Sequence, residues 1–460
     1  MKIVLISTYE LGRQPFGLAS PAAWLRRSGA EVACLDLSRE PFREEAIRDA
    51  ALIAFYVPMH TATRLAVALL PTIRELNPRA RTCFYGLYAP VNEDYLRGLG
   101  VDFIFGGEFE EPLAALASDE QFVSRRNPEA ACPTISLARQ KFRVPDRAGL
   151  PALEKYARLL MPSGESRVTG YTEASRGCKH LCRHCPIVPV YNGVFRIVDR
   201  EVVLEDIRRQ VAAGAQHITF GDPDFFNGIG HAIPLVEALH LEFPELTYDA
   251  TIKIEHLLKH RDCLPKLRDT GCLFVTSAVE SVGDTALEKL AKNHTRADFL
   301  RVIALFREVG LTLSPTFVSF TPWTTLETYR DLLETIRDQD LIENVAPIQL
   351  AIRLLIPAGS RLLELPDIQR IVEPFDDEKL VYPWRNEDAR VDALCERLQD
   401  IVHSGEKMKL SRTRIFQRIE DAAHEALGGG AANKEDARSR AMPVLPSRAT
   451  IPYLNEPWYC

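Results

Sequence analysis

Residues 170–186 read GYTEASRGCKHLCRHCP, the most informative segment of this sequence. It places Cys178, Cys182 and Cys185 in a C-x3-C-x2-C spacing directly after a predicted strand. A loop of this size can wrap three thiolates around one face of a cubane cluster, and thiolate is the ligand that iron–sulfur clusters use. Because three ligands serve four irons, one iron stays open to bind and reduce another molecule.

The same cysteines permit a second interpretation. Zinc takes four ligands, and sites of three cysteines and one histidine are common, so His180 or His184 of this loop could complete a zinc site. The position of the loop at the mouth of a barrel-like series of strands favours the cluster. The zinc site remains the structural alternative.

Strands and helices alternate after the cysteine loop. Amphipathic helical patterns that end in or near a glycine or a polar stop separate the predicted strands. Six such alternations predict a partial (β/α)6 barrel, in which the chemistry lies at the carboxyl ends of the strands. The predicted strands are residues 170–175, 217–222, 246–254, 273–280, 311–320 and 346–355.

The first 118 residues also alternate, with short β-rich apolar runs between amphipathic stretches. Apolar runs without clean alternation are typical of strands that are covered on both faces. They predict a doubly wound α/β domain with a five-stranded parallel sheet, whose ligands lie outside the carboxyl ends of the strands. The runs are residues 2–7, 31–37, 51–57, 81–87 and 101–107.

Composition shifts divide the chain into four parts. Residues 1–118 form the doubly wound domain, the polar and proline-bearing residues 119–168 a connector, and residues 169–365 the barrel. Residues 366–460 have a charged helical pattern, and the Gly/Ala/Lys-rich residues 428–440 within them are expected to be flexible. The fold class is therefore α/β, with a mainly helical carboxyl-terminal region.

Charge and hydropathy exclude several classes of partner. The 56 Lys and Arg are interspersed among 63 Asp and Glu, for a net charge of −7, which lacks the basic footprint of a nucleic-acid binder. No run of 18 apolar residues occurs, and the first apolar stretch is too short for a signal peptide. We therefore expect a cytoplasmic protein without a membrane partner, acting on a small molecule or peptide.

The other cysteines are expected to have structural roles. A cytoplasmic compartment keeps thiols reduced, so a disulfide framework is not expected among the ten cysteines. Five of them occur in apolar or helical contexts, where cysteine behaves as a small hydrophobic residue. These five are Cys34, Cys83, Cys263, Cys272 and Cys395.

The cysteine loop after the first strand of a six-unit barrel resembles the radical S-adenosylmethionine (SAM) superfamily. The resemblance implies a [4Fe-4S] cluster at Cys178, Cys182 and Cys185, whose open iron chelates the methionyl amine and carboxylate of SAM. An external one-electron reductant such as flavodoxin or ferredoxin would drive SAM cleavage to a 5′-deoxyadenosyl radical that abstracts hydrogen from substrate. The family usually has an aromatic residue before the third cysteine, and here it is His184.

Two further segments resemble the same superfamily. In FGDPDFFNG, the resemblance implies that Gly221 and Asp222 contact the methionyl amine, although an ordinary turn explains this sequence equally simply. In SAVESVGD, Glu280 and Ser281 become candidates for ribose hydroxyl contacts, with a buried structural carboxylate as the alternative. Three other side chains on predicted strands point into the barrel only if their register faces inward: Lys253, Glu255 and Arg353.

A doubly wound domain upstream of such a barrel resembles the cobalamin-binding radical SAM enzymes. The resemblance implies that a corrin ring stacks at the carboxyl edge of the sheet, where small residues allow close approach. The Asp-x-His-x-x-Gly signature is absent from STYELGRQPFG, which predicts cobalamin without a histidine below the cobalt. The alternative is a Rossmann-like domain without a cofactor. The candidate residues are Tyr56, Pro58, Gly86, Gly106 and Gly107.

Three functions are compatible with the sequence, two that the resemblance implies and one of a different class. The first is cobalamin-dependent methylation of an unactivated carbon, and the second is a radical rearrangement without methyl transfer. The third is a zinc-stabilised binding or redox module without radical chemistry.

Phrases across residues 170–325 resemble the CUAEP/CCAEP-tail radical SAM proteins. Members of that group end in a cysteine followed by cysteine or selenocysteine and then Ala-Glu-Pro. This sequence stops at Cys460 in NEPWYC. We expect either an ordinary terminus or a selenocysteine codon read as a stop, with Cys460 as a reactive thiol.

Overall fold

The computed structural model describes residues 1–118, 133–428 and 451–455. Its first sheet is built from β1 (Lys2–Ser7), β2 (Glu31–Asp36), β3 (Leu52–Tyr56), β4 (Arg81–Tyr85), β5 (Phe103–Gly107) and β6 (Ile135–Ser136). All six are parallel, in the order β2-β1-β3-β4-β5-β6. The doubly wound sheet is confirmed, and the connector adds the short sixth strand that the sequence did not predict.

Both faces of this sheet are covered because its strands alternate between two apolar cores. Ile3 and Leu5 pack on the side of α1 (Phe16–Arg27) and α6 (Glu110–Ser118), whereas Val4 and Ile6 pack on the side of α3 (His60–Leu76). Burial on both faces is why these strands have continuous apolar runs. The helices of this region are α1 (Phe16–Arg27), α2 (Glu44–Ile47), α3 (His60–Leu76), α4 (Tyr88–Val91), α5 (Glu93–Gly98) and α6 (Glu110–Ser118).

The second sheet holds the cysteine loop. Five parallel strands neighbour one another in chain order: β8 (Ser166–Thr172), β11 (His217–Phe220), β12 (Thr247–Thr251), β13 (Cys272–Glu280) and β14 (Thr312–Phe317). β7 (Arg158–Leu160) pairs antiparallel with β8, and β15 (Tyr453–Leu454) pairs antiparallel with β7. A separate ribbon of β9 (Ser175–Gly177) and β10 (Phe195–Ile197) follows β8.

Helices connect the parallel strands of the barrel and pack their apolar residues against one continuous core. Two of them begin with a capping box, at Thr295 and Thr325, which satisfies backbone N–H groups at the helix start. The helices are α7 (Val188–Tyr191), α8 (Arg200–Ala212), α9 (Ile229–Glu242), α10 (Ile254–Lys259), α11 (Leu264–Asp269), α12 (Asp284–Lys289), α13 (Arg296–Val309) and α14 (Leu326–Asp338).

The predicted sixth barrel strand, residues 346–355, is wrong. Pro347–Leu350 forms a 3-10 turn, and a single parallel bridge joins Phe320 to Arg353. Pro347 has no N–H for a sheet ladder, and the side chain of Gln349 instead accepts a hydrogen bond from the Phe317 N–H at 3.0 Å. The described barrel therefore has five regular parallel strands.

The predicted third strand is also shorter than expected. It ends at Thr251, Lys253 is the N-cap of α10, and Glu255 lies inside that helix. Lys253 and Glu255 are therefore on a strand-to-helix turn at the carboxyl edge of the sheet, where a site is expected.

The carboxyl-terminal region is helical, as predicted, with α15 (Pro366–Ile371), α16 (Ala389–Lys407) and α17 (Arg412–Ala426). Four of the five structural cysteines are buried as expected, and Cys263 is half-buried. Cys132, Cys460 and the predicted flexible stretch from residue 429 onward lie outside the described residues. Among the described helices, none combines the length and apolarity needed to cross a membrane.

Candidate active site

The cysteine loop begins where the β9–β10 ribbon turns away from the barrel. Gly177 has φ 72°, and a Cβ there would lie 2.4 Å from the Val194 carbonyl oxygen, so only glycine fits. Beyond it, Cys178 and Cys182 are buried and Cys185 is half-buried, all three as free thiols. The Cys185 N–H donates to the Cys182 carbonyl at 3.2 Å, which closes the loop.

The three thiols interact electrostatically. Burial, together with the smaller effect of the charges of Cys182 and Cys178, raises the pKa of Cys185 to about 12. Lys253 donates to the Cys182 sulfur at 3.7 Å, and burial likewise raises the pKa of Cys178. Three buried thiolates need positive charge, which iron ions supply because metal coordination deprotonates a thiol. The donor set therefore fits a [4Fe-4S] cluster.

The two loop histidines have different partners. His184 Nε2 lies 3.1 Å from the Oε1 atom of Glu280, whereas His180 Nε2 lies 3.5 Å from Asp224 Oδ2. The ligand atoms of Cys178, His180 and Asp224 lie within 4.8 Å of one another. His184 therefore pairs with Glu280 and does not complete a zinc site with the cysteines. His180 lies close enough to Cys178 and Asp224 for the zinc alternative to remain geometrically possible.

Gly221 and Asp222 connect β11 to the cysteine loop. A Cβ on Gly221 would lie 1.9 Å from the hydroxyl oxygen of Tyr171, so β8 and β11 require glycine here. Asp222 accepts hydrogen bonds from Ala174 N at 2.9 Å and from Ser175 Oγ at 2.5 Å. Burial raises the pKa of this carboxyl to about 7. Asp222 therefore fixes the entry to the loop as well as lying at the predicted strand end.

Glu280 connects β13 to the same loop. Its φ of 69° and a register shift after Ala278 take its side chain out of the strand alternation. Glu280 Oε1 lies 3.3 Å from Lys292 Nζ, in addition to its contact with His184. Burial would raise the pKa of Glu280, but Lys292 and His184 lower it to about 2. Ser281 faces its own turn and accepts from the Gly283 N–H at 3.0 Å.

Lys292, which the sequence analysis missed, is a buried ammonium beside the thiols. Burial lowers its pKa, but the charges of Glu280, Cys182 and Cys185 raise it above the ordinary lysine value. It follows α12 and is only 3% exposed. A sequence signal for it would have been a charged residue in an otherwise apolar stretch downstream of Glu280.

A cavity of about 130 Å³ lies between the carboxyl edges of the two sheets. Four predicted cobalamin residues line it, namely Tyr56, Pro58, Gly86 and Gly107, together with Gly221 of the barrel. Gly106 does not line this cavity, and a Cβ there would lie 2.4 Å from Pro90 Cγ. The candidate residues from both domains are therefore brought to one place.

The cavity does not fit a corrin ring as it stands. Small-molecule pockets usually enclose about 300 to 1,000 Å³. The Tyr56 ring fills the space above Gly17 and packs 6.1 Å from Phe109, centroid to centroid. A Cβ on Gly107 would lie 2.2 Å from the Ser136 carbonyl, so the chain itself needs this glycine. Binding of a corrin would require the aromatic rings or the sheets to move.

A buried ion cluster, also missed by the sequence analysis, joins the two domains beside this cavity. Arg176, two residues before Cys178, lies 2.6 Å from Glu110 and 2.7 Å from Glu173, nitrogen to oxygen. Its guanidinium also lies 3.4 Å from Glu108, whose pKa burial and the neighbouring carboxylates raise to about 7. The carboxylates and the guanidinium lie in two strand-end segments, EFEE (108–111) and EASR (173–176). The sequence alone does not show that these two segments are close in space, so it does not predict the cluster.

A parallel barrel with three free thiols on the loop after its first parallel strand agrees with the radical SAM class. Residues 172–338 match the family described as the Radical SAM superfamily, so the chain contains a radical SAM domain.

Curated relatives match part of their own length. The hopanoid C-3 methylase of Methylococcus capsulatus is 25% identical over 67% of this chain and 62% of the relative. The ribosomal protein uS12 methylthiotransferase RimO of Parabacteroides distasonis is 26% identical over 36% of this chain and 41% of the relative. The chain thus spans less than two thirds of either protein.

Solved structures share the fold of both sheets. The radical SAM methyltransferase TsrM from Kitasatospora setae, solved with tryptophan substrate and a SAM analogue, has a TM-score of 0.61 at 17% identity, covering 79% of this chain and 75% of that chain. The cobalamin-dependent radical SAM enzyme OxsB, solved with aqua-cobalamin and SAM, has a TM-score of 0.67 at 13% identity, covering 92% and 71%.

Proposed function

We propose that this enzyme cleaves SAM reductively at a [4Fe-4S] cluster held by Cys178, Cys182 and Cys185, and that the resulting 5′-deoxyadenosyl radical abstracts hydrogen from a small molecule or peptide. One observation carries this proposal. Three thiols lie on one loop, and side chains from the ends of two barrel strands, Asp222 and Glu280, contact that loop or its entry. These contacts support a SAM site at the strand ends, where the resemblance expects it.

The chain's own residues have distinct roles in this proposal. Lys253 and Lys292 supply positive charge beside the thiolates, which stabilises a negatively charged metal–thiolate centre. Asp222 and Glu280 orient the loop, and Gly221 and Ser281 are the remaining candidates for SAM contacts. When bound, the cluster would pass on one electron from an external reductant such as flavodoxin or ferredoxin and would supply the open iron that chelates the methionyl group.

We further propose that cobalamin binds in the cavity between the two sheets and that the substrate is methylated on carbon. The candidate residues lining the cavity, the hopanoid C-3 methylase relative and the fold of TsrM and OxsB support this proposal. Because the closed cavity measures about 130 Å³, binding requires the rings of Tyr56 and Phe109 to move aside. A radical rearrangement without methyl transfer remains the second candidate, and the mass of the product separates the two.

We also propose that the chain is a member of the CUAEP/CCAEP-tail group, on its phrases in residues 170–325. The coding DNA tests this. An in-frame UGA or a cysteine codon, followed by codons for Ala-Glu-Pro after the Cys460 codon, supports membership, and any other continuation contradicts it.

The decisive experiment replaces each loop cysteine by alanine in the full chain. Without one of three ligands, we expect Cys178→Ala, Cys182→Ala and Cys185→Ala to lose bound iron and 5′-deoxyadenosine formation below detection. The matched control is Cys395→Ala, because Cys395 is a buried thiol of α16 that packs in the barrel core. Anaerobic reconstitution followed by iron analysis and chromatography measures both quantities. Full iron and turnover in any loop variant would contradict the cluster assignment, whereas a wild-type chain that binds zinc but no iron and forms no 5′-deoxyadenosine would favour the zinc-stabilised module.

A further inference from the structure

The cysteine loop reaches the molecular surface between its buried thiols. Leu181 is 43% exposed and Lys179 is also exposed, whereas Cys178 and Cys182 beside them are only 8% and 6% exposed. Exposed residues therefore alternate in the chain with two ligands of the proposed cluster. Because electron transfer slows steeply with distance, this face of the loop offers a short route for an electron that comes from outside.

Exposed apolar side chains continue from this face of the loop. A Cβ on Gly193 would lie 3.5 Å from Leu181 Cδ2 and 3.6 Å from the Lys179 carbonyl oxygen, and Lys179 Nζ lies 4.6 Å from the centre of the Phe195 ring. Ile197 is 45% exposed and shares a face of β10 with Phe195, since side chains two residues apart on a strand point the same way. We call Leu181, Phe195 and Ile197 the loop patch. Contiguous exposed apolar side chains mark interaction sites.

Positive charge lies beside the loop patch. Lys179 and Lys259, the last residue of α10, are both exposed. Lys179 Nζ donates to the Asn227 carbonyl oxygen at 2.6 Å rather than to a carboxylate. Burial and His256 lower the pKa of His260, and the charges of Lys259 and Lys179 lower it further. Both ammonium groups are therefore close to one imidazole, and the end of α10 adjoins the cysteine loop.

Two carboxylates near these lysines are balanced by other cations. Glu255 Oε2 lies 4.0 Å from Lys253 Nζ, and Asp262 Oδ1 lies 3.8 Å from Arg261 Nε. The two lysines thus add positive charge beside the loop patch, on a chain whose net charge is −7. A surface of this sign attracts an acidic partner and repels basic ones.

We propose that the loop patch, together with Lys179 and Lys259, is the docking surface for an acidic one-electron carrier protein such as flavodoxin. This inference rests on the proposed function, which needs an external electron. One electron passes from the carrier to the cluster, so the carrier is oxidised and the cluster is reduced, and no covalent bond forms between the two proteins. An apolar centre with a charged rim is the usual composition of a protein interface.

The test compares two electron donors on the reconstituted full chain. Reduced flavodoxin needs the docking surface, whereas dithionite is a small ion that does not. Ile197→Glu and Lys259→Glu add negative charge on β10 and α10 without changing a residue of the cysteine loop. We expect each variant to raise the KM for flavodoxin in 5′-deoxyadenosine formation about tenfold, with bound iron and the dithionite-driven rate at the wild-type level. An unchanged KM in both variants overturns the proposal.

The matched control is Leu241→Glu. Leu241 is 83% exposed near the end of α9, whereas the loop patch lies beside the start of that helix. The control should keep the wild-type KM for flavodoxin, and an equal rise in the control and in Ile197→Glu contradicts the surface. A change in the elution volume of the full chain in Ile197→Glu would assign the patch to a second copy of the chain and overturn the proposal.

Failure of the proposed function is recognised separately, because a wild-type chain that forms no 5′-deoxyadenosine with dithionite contradicts SAM cleavage itself. Amide hydrogen exchange of the wild-type chain, with and without flavodoxin, then decides about the surface, and it also decides if a variant does not fold. Protection of residues 179–182 and 193–198 supports docking at the loop patch. Protection confined to other segments, or no protection, refutes it.

Discussion

At the scale of single residues, ionisable side chains that are almost fully buried hold the site together. Asp222 is 3% exposed, and burial raises its pKa from the ordinary value to about 7. The folded state therefore binds this proton more tightly than the unfolded state does. At pH values below the pKa of the unfolded state, the protonated carboxyl contributes its full stabilisation of the fold. Between that pKa and the folded-state pKa of about 7, the contribution falls by about 1.4 kcal/mol per pH unit.

We expect Asp222→Asn to remove this pH dependence. The amide keeps an acceptor for Ala174 N and can donate to Ser175 Oγ, so both contacts survive without a titrating group. Thermal unfolding midpoints of the two proteins should differ more at about pH 8 than at about pH 5, with the variant gaining relative to wild type as pH rises. Parallel pH profiles would show that Asp222 does not titrate in this range.

Glu280 has the opposite shift, because Lys292 and His184 hold its pKa at about 2 despite burial. Glu280→Gln leaves the ammonium of Lys292 buried without its counter-charge. Removing one partner of a buried pair costs about 3 to 5 kcal/mol, so we expect a clear fall in the free energy of unfolding measured with denaturant. Glu288→Gln on the exposed face of α12 should change it little. Equal effects of the two variants would contradict the pairing.

At the scale of elements, the sequence predicted the two sheets because each strand carries an apolar run of its own. It also identified the cysteine loop and the strand ends that carry Asp222 and Glu280. It failed where contacts between distant segments decide the outcome. The sixth barrel strand is replaced by a turn because Pro347 cannot complete the ladder and Gln349 caps β14 instead. The roles of Lys292, Arg176 and Asp224 depend on contacts with residues from other segments of the chain, so the local sequence does not reveal them.

The β9–β10 ribbon supplies a prediction at this scale, because Arg176 ties it to the amino-terminal domain. Arg176→Gln leaves three buried carboxylates, on Glu108, Glu110 and Glu173, without their cation. We expect a loss of about 3 to 5 kcal/mol in the free energy of unfolding. Arg196, directly opposite on β10, is the control, since it donates to backbone carbonyls rather than to this cluster. A larger loss in Arg196→Gln than in Arg176→Gln would contradict the role of the ion cluster.

At the scale of the whole molecule, the two sheets face each other with their carboxyl edges across one cavity. The position of the cavity agrees with the rule that parallel α/β sheets bind ligands at the carboxyl ends of their strands. The sequence predicted both edges, but it could not predict that Tyr56 and Phe109 fill the space between them. The closed volume results from side-chain packing across the domain interface, which no local pattern encodes.

The cavity can be tested by changing its volume from either side. Incubated with hydroxocobalamin and desalted, the wild-type chain should retain about one equivalent of cobalt with a spectrum lacking histidine ligation. Tyr56→Leu empties part of the cavity and should retain at least as much. Leu87→Trp places a larger ring on the cavity wall and should retain little. Leu241→Trp is the control, because Leu241 is 83% exposed and remote from the cavity lining. Full retention in Leu87→Trp would locate cobalamin elsewhere, and no retention in wild type together with Tyr56→Leu would leave a cofactor-free domain. That result would favour radical chemistry without methyl transfer from cobalt, because no cobalt is bound. The ion cluster around Arg176 would then be the reason why the carboxyl edges of the two sheets stay in contact.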